Sequence, residues 1–124
     1  MLAATMAKVV LVGKDWQTRA LLRAQLIEEG LEVEAVETVR AALPTLHEPA
    51  LRPSLLIADL SSSEDPGAEA EQLAAWTAEI PVWIIATQNL LAERQLKSRG
   101  FESILVRPID MGELVEQIKR RVEP

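Results

Sequence analysis

Four short runs of apolar residues are spaced along the chain, and each is nearly continuous rather than alternating. They cover residues 9–12, 55–58, 82–85 and 104–106. Continuous apolar runs of this length are typical of strands covered on both faces, as in a parallel sheet. Residues 31–36 differ, because apolar positions alternate there with glutamates. That pattern predicts a half-exposed strand at an edge of the sheet.

Segments with the apolar spacing of helices lie between and after these runs. They cover residues 16–29, 38–47, 67–78, 89–99 and 110–122. Gly30 is expected to end the first helix, Thr38 to cap the second, and Asp110 to open the last as a capping box with Glu113. Pro44 is expected to limit the second helix. Alternating strands and helices predict an α/β domain with a five-stranded parallel sheet, right-handed crossovers and helices on both faces.

Composition and charge exclude several function classes. The 124 residues include no cysteine, no tyrosine and one histidine, which excludes thiolate and multi-histidine metal sites and disfavours an aromatic platform for single-stranded nucleic acid. The net charge of −6 disfavours direct nucleic-acid binding. No apolar run reaches the roughly 18 residues of a membrane span. We interpret residues 1–7 as a frayed leader and 8–122 as one cytoplasmic domain that binds neither nucleic acid nor membrane.

Candidate chemistry lies where the strands end, because functional groups of open α/β sheets gather beyond the carboxyl ends of the strands. The residues at these ends are Gly13, Lys14, Asp15, Asp59, Thr87 and Arg107. Gly13 stands alone, without the G-x-G-x-x-G pattern of a phosphate-binding loop. An unrelated flavodoxin-like ligand-binding or enzymatic domain is therefore the weakest of the possible interpretations.

These strand ends resemble those of the receiver domain of bacterial two-component response regulators, and the resemblance covers residues 8–122. Asp59 ends its strand, Ile80-Pro81-Val82 opens the next, Gly100 precedes the last strand, and Arg107-Pro108 closes it. The resemblance implies a flavodoxin-like sheet in the order 2-1-3-4-5. It also implies phosphoryl transfer to Asp59 from a histidine kinase or a small phosphodonor, with no further enzymatic activity.

In an intact receiver, an acidic pair after the first strand joins the phosphoacceptor aspartate in holding Mg²⁺. Here the acidic pair falls on Gly13 and Lys14, so Asp15 and Asp59 are the remaining candidate ligands. Two carboxylates with cations nearby make a poor site for a divalent ion, so we expect no cofactor, and Mg²⁺ only if the chain is a working phosphoacceptor. Asp15 can instead cap the helix that follows.

The other two phosphoryl-contacting positions of the family are also altered. The family's Ser or Thr falls on Ala86, with Thr87 adjacent as a weaker hydroxyl candidate that otherwise caps the next helix. The family's Lys falls on Arg107. We expect a cation to take the place of the metal and pair with Asp59. Arg107 is favoured over Lys14, because its planar fork can hold a carboxylate bidentately.

Three functions remain open from the sequence. The favoured one is an atypical receiver that acts in signalling as a phosphorylation-independent protein-interaction module. The alternatives are a working phosphoacceptor receiver, with Asp59 phosphorylated by a histidine kinase, and the unrelated flavodoxin-like domain. The partner expected for a receiver is a histidine kinase or an output protein.

Two features of the sequence concern contact surfaces. Helices 89–99 and 110–122 carry adjacent apolar residues, Leu90-Leu91 and Leu114-Val115, beyond one narrow stripe. We therefore expect one of these helices to contribute to a homodimer or partner interface. The tryptophans at 16, 76 and 83 are most simply packing residues, whereas an exposed one would indicate a partner surface.

Overall fold

Five parallel strands form one sheet in the computed structural model, which describes residues 7–93 and 95–123. The strands are β1 (Lys8–Gly13), β2 (Glu32–Val36), β3 (Leu55–Asp59), β4 (Val82–Ala86) and β5 (Ser103–Val106). Their spatial order is β2-β1-β3-β4-β5, and every neighbouring pair is parallel. The predicted fold class and strand order are confirmed, and the alternating segment at 31–36 supplies the edge strand β2 as expected.

Helices follow each strand along the chain. They are α1 (Trp16–Glu28), α2 (Val39–His47), α3 (Pro66–Ala74), α4 (Gln88–Glu93) and α5 (Met111–Val122). Thr38 caps α2 and Asp110 caps α5 through their side-chain oxygens, as predicted. Gly30 follows α1 with a φ of +88°, a conformation that favours glycine.

Alternate residues of the strands point to opposite faces of the sheet, and each face has its own hydrophobic core. Val10 and Val12 of β1 pack with buried residues of α2 and α3 on one face. Val9 and Leu11 pack with buried residues of α1 and α5 on the other. Both faces of β1, β3 and β4 are therefore covered, which explains why these strands are continuously apolar.

Two helices are shorter than their apolar spacing predicts. Helix 67–78 ends at Ala74, because both the backbone N–H and the hydroxyl of Thr77 bind the Ala74 carbonyl and turns replace the helix. Helix 89–99 is reduced to α4 and a separate 3₁₀ turn at Leu96–Ser98. Gln95 interrupts it with a φ of +49°, and the turn that follows places Leu96 in the core.

The predicted end of the second helix at residue 47 is confirmed, with Pro44 inside α2 and buried Leu46 in the last turn beyond it. The start of the domain differs from expectation. Ala7, assigned to the frayed leader, accepts a hydrogen bond from the Glu32 N–H and packs on the core. Residues 1–6 of that leader lie outside the described residues. Within the described chain, no helix is long and apolar enough to cross a membrane.

We predicted an interface on the last two helices from two pairs of adjacent apolar residues. Both pairs pack into the core. Leu114 and Val115 are buried, and Leu90 and Leu91 pack partly buried against the other core. Exposed large apolar side chains of the described residues lie elsewhere, mostly on α1. These pairs therefore no longer support the predicted homodimer or partner interface on these helices.

Glu102 links β4 to the end of α5 through its carboxylate. It accepts two hydrogen bonds from Arg121, at 2.7 and 2.8 Å, and one from the indole N–H of Trp83, at 2.8 Å. These bonds, those of Arg121 foremost, lower the pKa of Glu102 below its ordinary value of 4.5. The ionised Glu102 carboxylate therefore stabilises the folded state fully above its unfolded-state pKa. This stabilisation is lost as the pH falls through the lower pKa of the folded state.

We expect Glu102→Gln to reduce the acid sensitivity of unfolding. Urea unfolding of the wild type and the variant, compared between neutral pH and pH about 3, measures the difference. The effect will be small, because solvent reaches the pair. Glu71→Gln on the exposed side of α3 is the control. Identical pH profiles for Glu102→Gln and the wild type would contradict the assignment.

Candidate functional site

Asp59 lies at the carboxyl end of β3, in the middle of the sheet. Its register partner on β1 is Gly13. Only 8% of Asp59 is exposed, and it is the one buried charged or polar residue of the described chain. A carboxylate this deeply buried needs hydrogen-bond donors or a cation beside it.

Both carboxylate oxygens of Asp59 are occupied by donors. Oδ1 accepts the backbone N–H of Ser61 at 3.0 Å and the Ser61 hydroxyl at 2.5 Å. Oδ2 accepts Nη2 of Arg107 at 2.5 Å. Arg107 also donates from Nε to the Ser61 hydroxyl oxygen at 2.8 Å. The three side chains form a closed ring of hydrogen bonds, which we call the Asp59–Ser61–Arg107 ring.

The sheet brings Arg107 to this position. Its backbone N–H binds the Ala86 carbonyl and continues the pairing of β5 with β4 for one more residue. From there the long side chain reaches past β4 to the end of β3. The ion pair expected between Asp59 and Arg107 is present, but it is not bidentate, because Nη2 binds Asp59 and Nε binds Ser61. Charge-assisted bonds of this kind are the stronger class of hydrogen bond.

Lys14 does not pair with Asp59, which corrects the alternative that we left open. Its ammonium binds Glu64 in the loop between β3 and α3. Both side chains of this pair are exposed, so neither charge loses much hydration. Lys14 therefore has no role as a metal substitute at Asp59 in this structure.

Asp15 caps α1, although it also lines a small cavity beside Asp59. Its carboxylate accepts the Gln17 N–H at 3.1 Å and the Thr18 hydroxyl at 2.9 Å. The Thr18 hydrogen bond is the main cause of a lowered pKa of Asp15, and the charge of Arg107 contributes less.

Thr87 caps α4, so it does not supply the hydroxyl at the site. Its Oγ1 accepts the Leu90 N–H at 3.2 Å. The hydroxyl that does reach Asp59 belongs to Ser61, which sequence reasoning missed. The available signal was its position two residues after Asp59, in the polar stretch 61–65. Serine and aspartate in such loops commonly bind each other or the nearby backbone.

The residues at this edge do not fit a magnesium ion. The oxygens of Asp59 are held by an arginine and a serine, and those of Asp15 by the start of α1. Within residues 7–93 and 95–123, no three histidine, cysteine, aspartate or glutamate side chains are grouped to hold a metal. Mg²⁺ is bound through carboxylates, and here the neighbouring groups are cations and donors.

A cavity of about 20 Å³ lies beside Asp59, lined mainly by apolar residues of β1, α1 and β3. It has space for about one water molecule. Gly13 also lines it, and a Cβ added there would lie 3.4 Å from the Cβ of Asp59, an ordinary contact. A Cβ at position 13 is therefore sterically acceptable.

Solved structures with the same fold are receiver domains. A CheY-like response regulator receiver domain protein from Methanospirillum hungatei JF-1 has a TM-score of 0.78 at 17% identity over 95% of this chain and 94% of that chain. The non-phosphorylated HemR receiver domain from Leptospira biflexa has a TM-score of 0.77 at 21% identity over 95% of both chains. The chemotaxis response regulator CheY4 of Vibrio cholerae has 0.72 at 23% identity, over 94% of this chain and 99% of that chain.

The chain therefore has the fold of CheY-like response-regulator receiver domains. The similarity covers nearly the full length of both partners in each comparison, while sequence identity stays low. No protein-family model matches the sequence, and no curated protein sequence matches it significantly. The fold is shared, and function has to be argued from the residues at Asp59.

Proposed function

We propose that the chain is an atypical receiver domain that acts in signal transduction by binding partner proteins, without phosphorylation of Asp59. The observation that carries this proposal is the Asp59–Ser61–Arg107 ring. A phosphoacceptor carboxylate attacks phosphorus through an oxygen lone pair, and the donors bound to both oxygens make these lone pairs less nucleophilic. A guanidinium ion pair draws electron density from the same oxygens that would attack.

The lack of metal ligands supports the same proposal. Phosphoryl transfer needs positive charge, usually a metal ion, on the non-bridging oxygens of the transferred group. Position 13 offers a glycine and position 14 a lysine that is paired with Glu64. The described residues near Asp59 offer Asp15, whose carboxylate is bound to the start of α1.

A working phosphoacceptor remains the second candidate, because Asp59 keeps its buried position at the end of β3 and Arg107 keeps a cation at the end of β5. A flavodoxin-like domain that binds a small molecule at Asp59 is disfavoured, because there is little space beside this residue. The cavity beside Asp59, about 20 Å³, is far smaller than the roughly 300–1,000 Å³ of typical ligand pockets.

The solvent side of α1 supports a partner-binding role. Trp16 is 63% exposed, Leu21 50% and Ile27 43%, so three large apolar side chains of one helix face solvent. Tryptophan is enriched at protein interfaces, so exposed Trp16 is the residue of this helix that most favours a partner contact. The partner that we propose is a signalling protein of the cytoplasm, either a histidine kinase or an output protein.

The test compares Mg²⁺ binding and phosphorylation of the wild type with those of a Gly13→Asp/Lys14→Asp variant. We expect wild-type Mg²⁺ affinity to be far weaker than millimolar and acetyl phosphate to leave its intact mass unchanged. The variant should bind Mg²⁺ measurably more tightly, because it regains two carboxylates beside Asp59. Titration is followed by the fluorescence of Trp16, which begins α1 next to the site.

Saturable wild-type Mg²⁺ binding that disappears in Asp59→Asn would overturn this proposal. So would a wild-type mass increase of one phosphoryl group that is lost in the same variant. Either result would favour the phosphoacceptor alternative.

A further inference from the structure

We infer that Ser61 is a positioning residue, whose hydroxyl holds Arg107 on Asp59 and so keeps the carboxylate unreactive. The inference rests on the proposed function, in which Asp59 is a silenced acceptor, and it specifies what silences it. It adds a second barrier to phosphorylation that is independent of the missing metal ligands.

The Ser61 hydroxyl contacts both other members of the ring. Its single proton is directed to Oδ1 of Asp59, and its oxygen accepts Nε of Arg107. Because a hydroxyl is both donor and acceptor, it can join a cation and an anion without an unsatisfied group. The bonds run in one direction, from arginine through serine to aspartate, and such chains strengthen one another.

The local turn after β3 depends on the backbone of Ser61 and not on its hydroxyl. The backbone N–H of Ser61 binds Oδ1 of Asp59 and closes the turn after β3. That bond needs no serine side chain, so it survives replacement by alanine. The hydroxyl instead fixes the guanidinium: without it, Nε of Arg107 loses its acceptor, and one bond to Oδ2 remains to hold the side chain.

Neighbouring serines of the same loop make different contacts. The Ser62 hydroxyl oxygen accepts the Asp15 N–H at 3.3 Å, and the Ser63 hydroxyl donates to Glu69 at 2.6 Å. Neither of these hydroxyls bonds to a member of the ring among the described contacts. Ser62→Ala is therefore a matched control that removes the adjacent hydroxyl and leaves the ring intact.

The reaction that Ser61 restrains is phosphoryl transfer from acetyl phosphate to Asp59. An oxygen of Asp59 attacks the phosphorus of acetyl phosphate, an Oδ–P bond forms, and the P–O bond to the acetyl group breaks. Acetate leaves with the electron pair, and the product is an aspartyl phosphate. With Oδ1 and Oδ2 both accepting hydrogen bonds, the attacking oxygen is a weaker nucleophile.

The first experiment uses the otherwise wild-type protein and needs no metal. Hydrogen exchange of the Arg107 Nε–H, followed by NMR, should be faster by roughly tenfold in Ser61→Ala, the size expected from losing one hydrogen bond. Ser62→Ala should leave the exchange rate unchanged, and Ser61→Thr, which keeps a hydroxyl, should restore it. Unchanged exchange in Ser61→Ala would overturn the inference.

The second experiment asks whether the ring restrains Asp59 when metal ligands are present. In the Gly13→Asp/Lys14→Asp background with Mg²⁺, Ser61→Ala should raise the rate of phosphorylation by acetyl phosphate by roughly tenfold. The matched Ser62→Ala variant should react at the background rate. Equal rates in the two serine variants, including no reaction in both, would overturn the role of Ser61. Phosphorylation of the wild type itself would instead overturn the proposed function, so the two failures are distinguishable.

Discussion

Arg107→Ala is expected to lower the free energy of unfolding by about 2–3 kcal/mol, because it leaves Asp59 buried without its cation. Breaking a fully buried pair costs about 3–5 kcal/mol. The loss here is smaller, since the Arg107 side chain is 35% exposed and water can enter as it leaves. Two donations from Ser61 remain on Oδ1, whereas Oδ2 loses its partner. Urea unfolding followed by circular dichroism measures the change.

A double-mutant cycle separates the unpaired charge from lost packing. Asp59→Asn alone should be milder than Arg107→Ala, because its amide oxygen still accepts hydrogen bonds on one side and no buried charge is left without a cation. In the Asp59→Asn background, Arg107→Ala should cost much less than in the wild type, since no buried charge is left behind. Equal costs in the two backgrounds would mean that Arg107 contributes through packing, and that the pair at the end of β3 is not held by charge.

Much of the fold could be predicted from the sequence because the strands are covered on both faces. Continuous apolar runs such as 55–58 fix where buried strands lie, and the resemblance to receivers supplied their order. Helix ends were predicted less well where local bonds compete with the helix. The hydroxyl of Thr77 ends α3, and the left-handed Gln95 divides the segment after β4. Apolar spacing carries no signal for either effect.

At the site, the charge balance was predictable and the loop contacts were not. A buried aspartate at a strand end and an arginine at a neighbouring strand end meet because parallel strands end at the same edge of the sheet. Ser61 and Glu64 lie on the loop after β3, whose path decides which side chain reaches Asp59 and which reaches Lys14. Residue order does not specify that path, so Ser61 was missed and Lys14 was wrongly offered as a partner of Asp59.

The three tryptophans were more predictable than the loop contacts, because the residues around them differ. Trp83 is 5% exposed, Trp76 packs against Arg52 and His47, and Trp16 faces solvent. Packing was expected for all three. Trp83 lies within a buried β strand and Trp16 at the first position of a helix, so the surrounding pattern already distinguished them.

Trp83→Ala is expected to lower the free energy of unfolding by about 3–5 kcal/mol, the usual range for removing a buried tryptophan. The side chain belongs to the core shared with α1 and α5, and its indole N–H binds Glu102. Replacement by alanine leaves a cavity between the sheet and these helices and removes a donor from Glu102. Trp83→Phe should cost less, because most of the volume is kept. Urea unfolding followed by circular dichroism is suitable, since the fluorophore itself is altered.

Trp16→Ala is the matched control, with the same change of residue at an exposed site. We expect the free energy of unfolding to change by no more than about 0.5 kcal/mol, as for most surface substitutions. A loss as large as that of Trp83→Ala would show that Trp16 is packed, and would remove it from the proposed partner surface. If stability is unchanged, any loss of partner binding in Trp16→Ala reports on the exposed face of α1 rather than on unfolding. The stable variant thus tests whether this domain works by docking, because it leaves Asp59, Ser61 and Arg107 untouched.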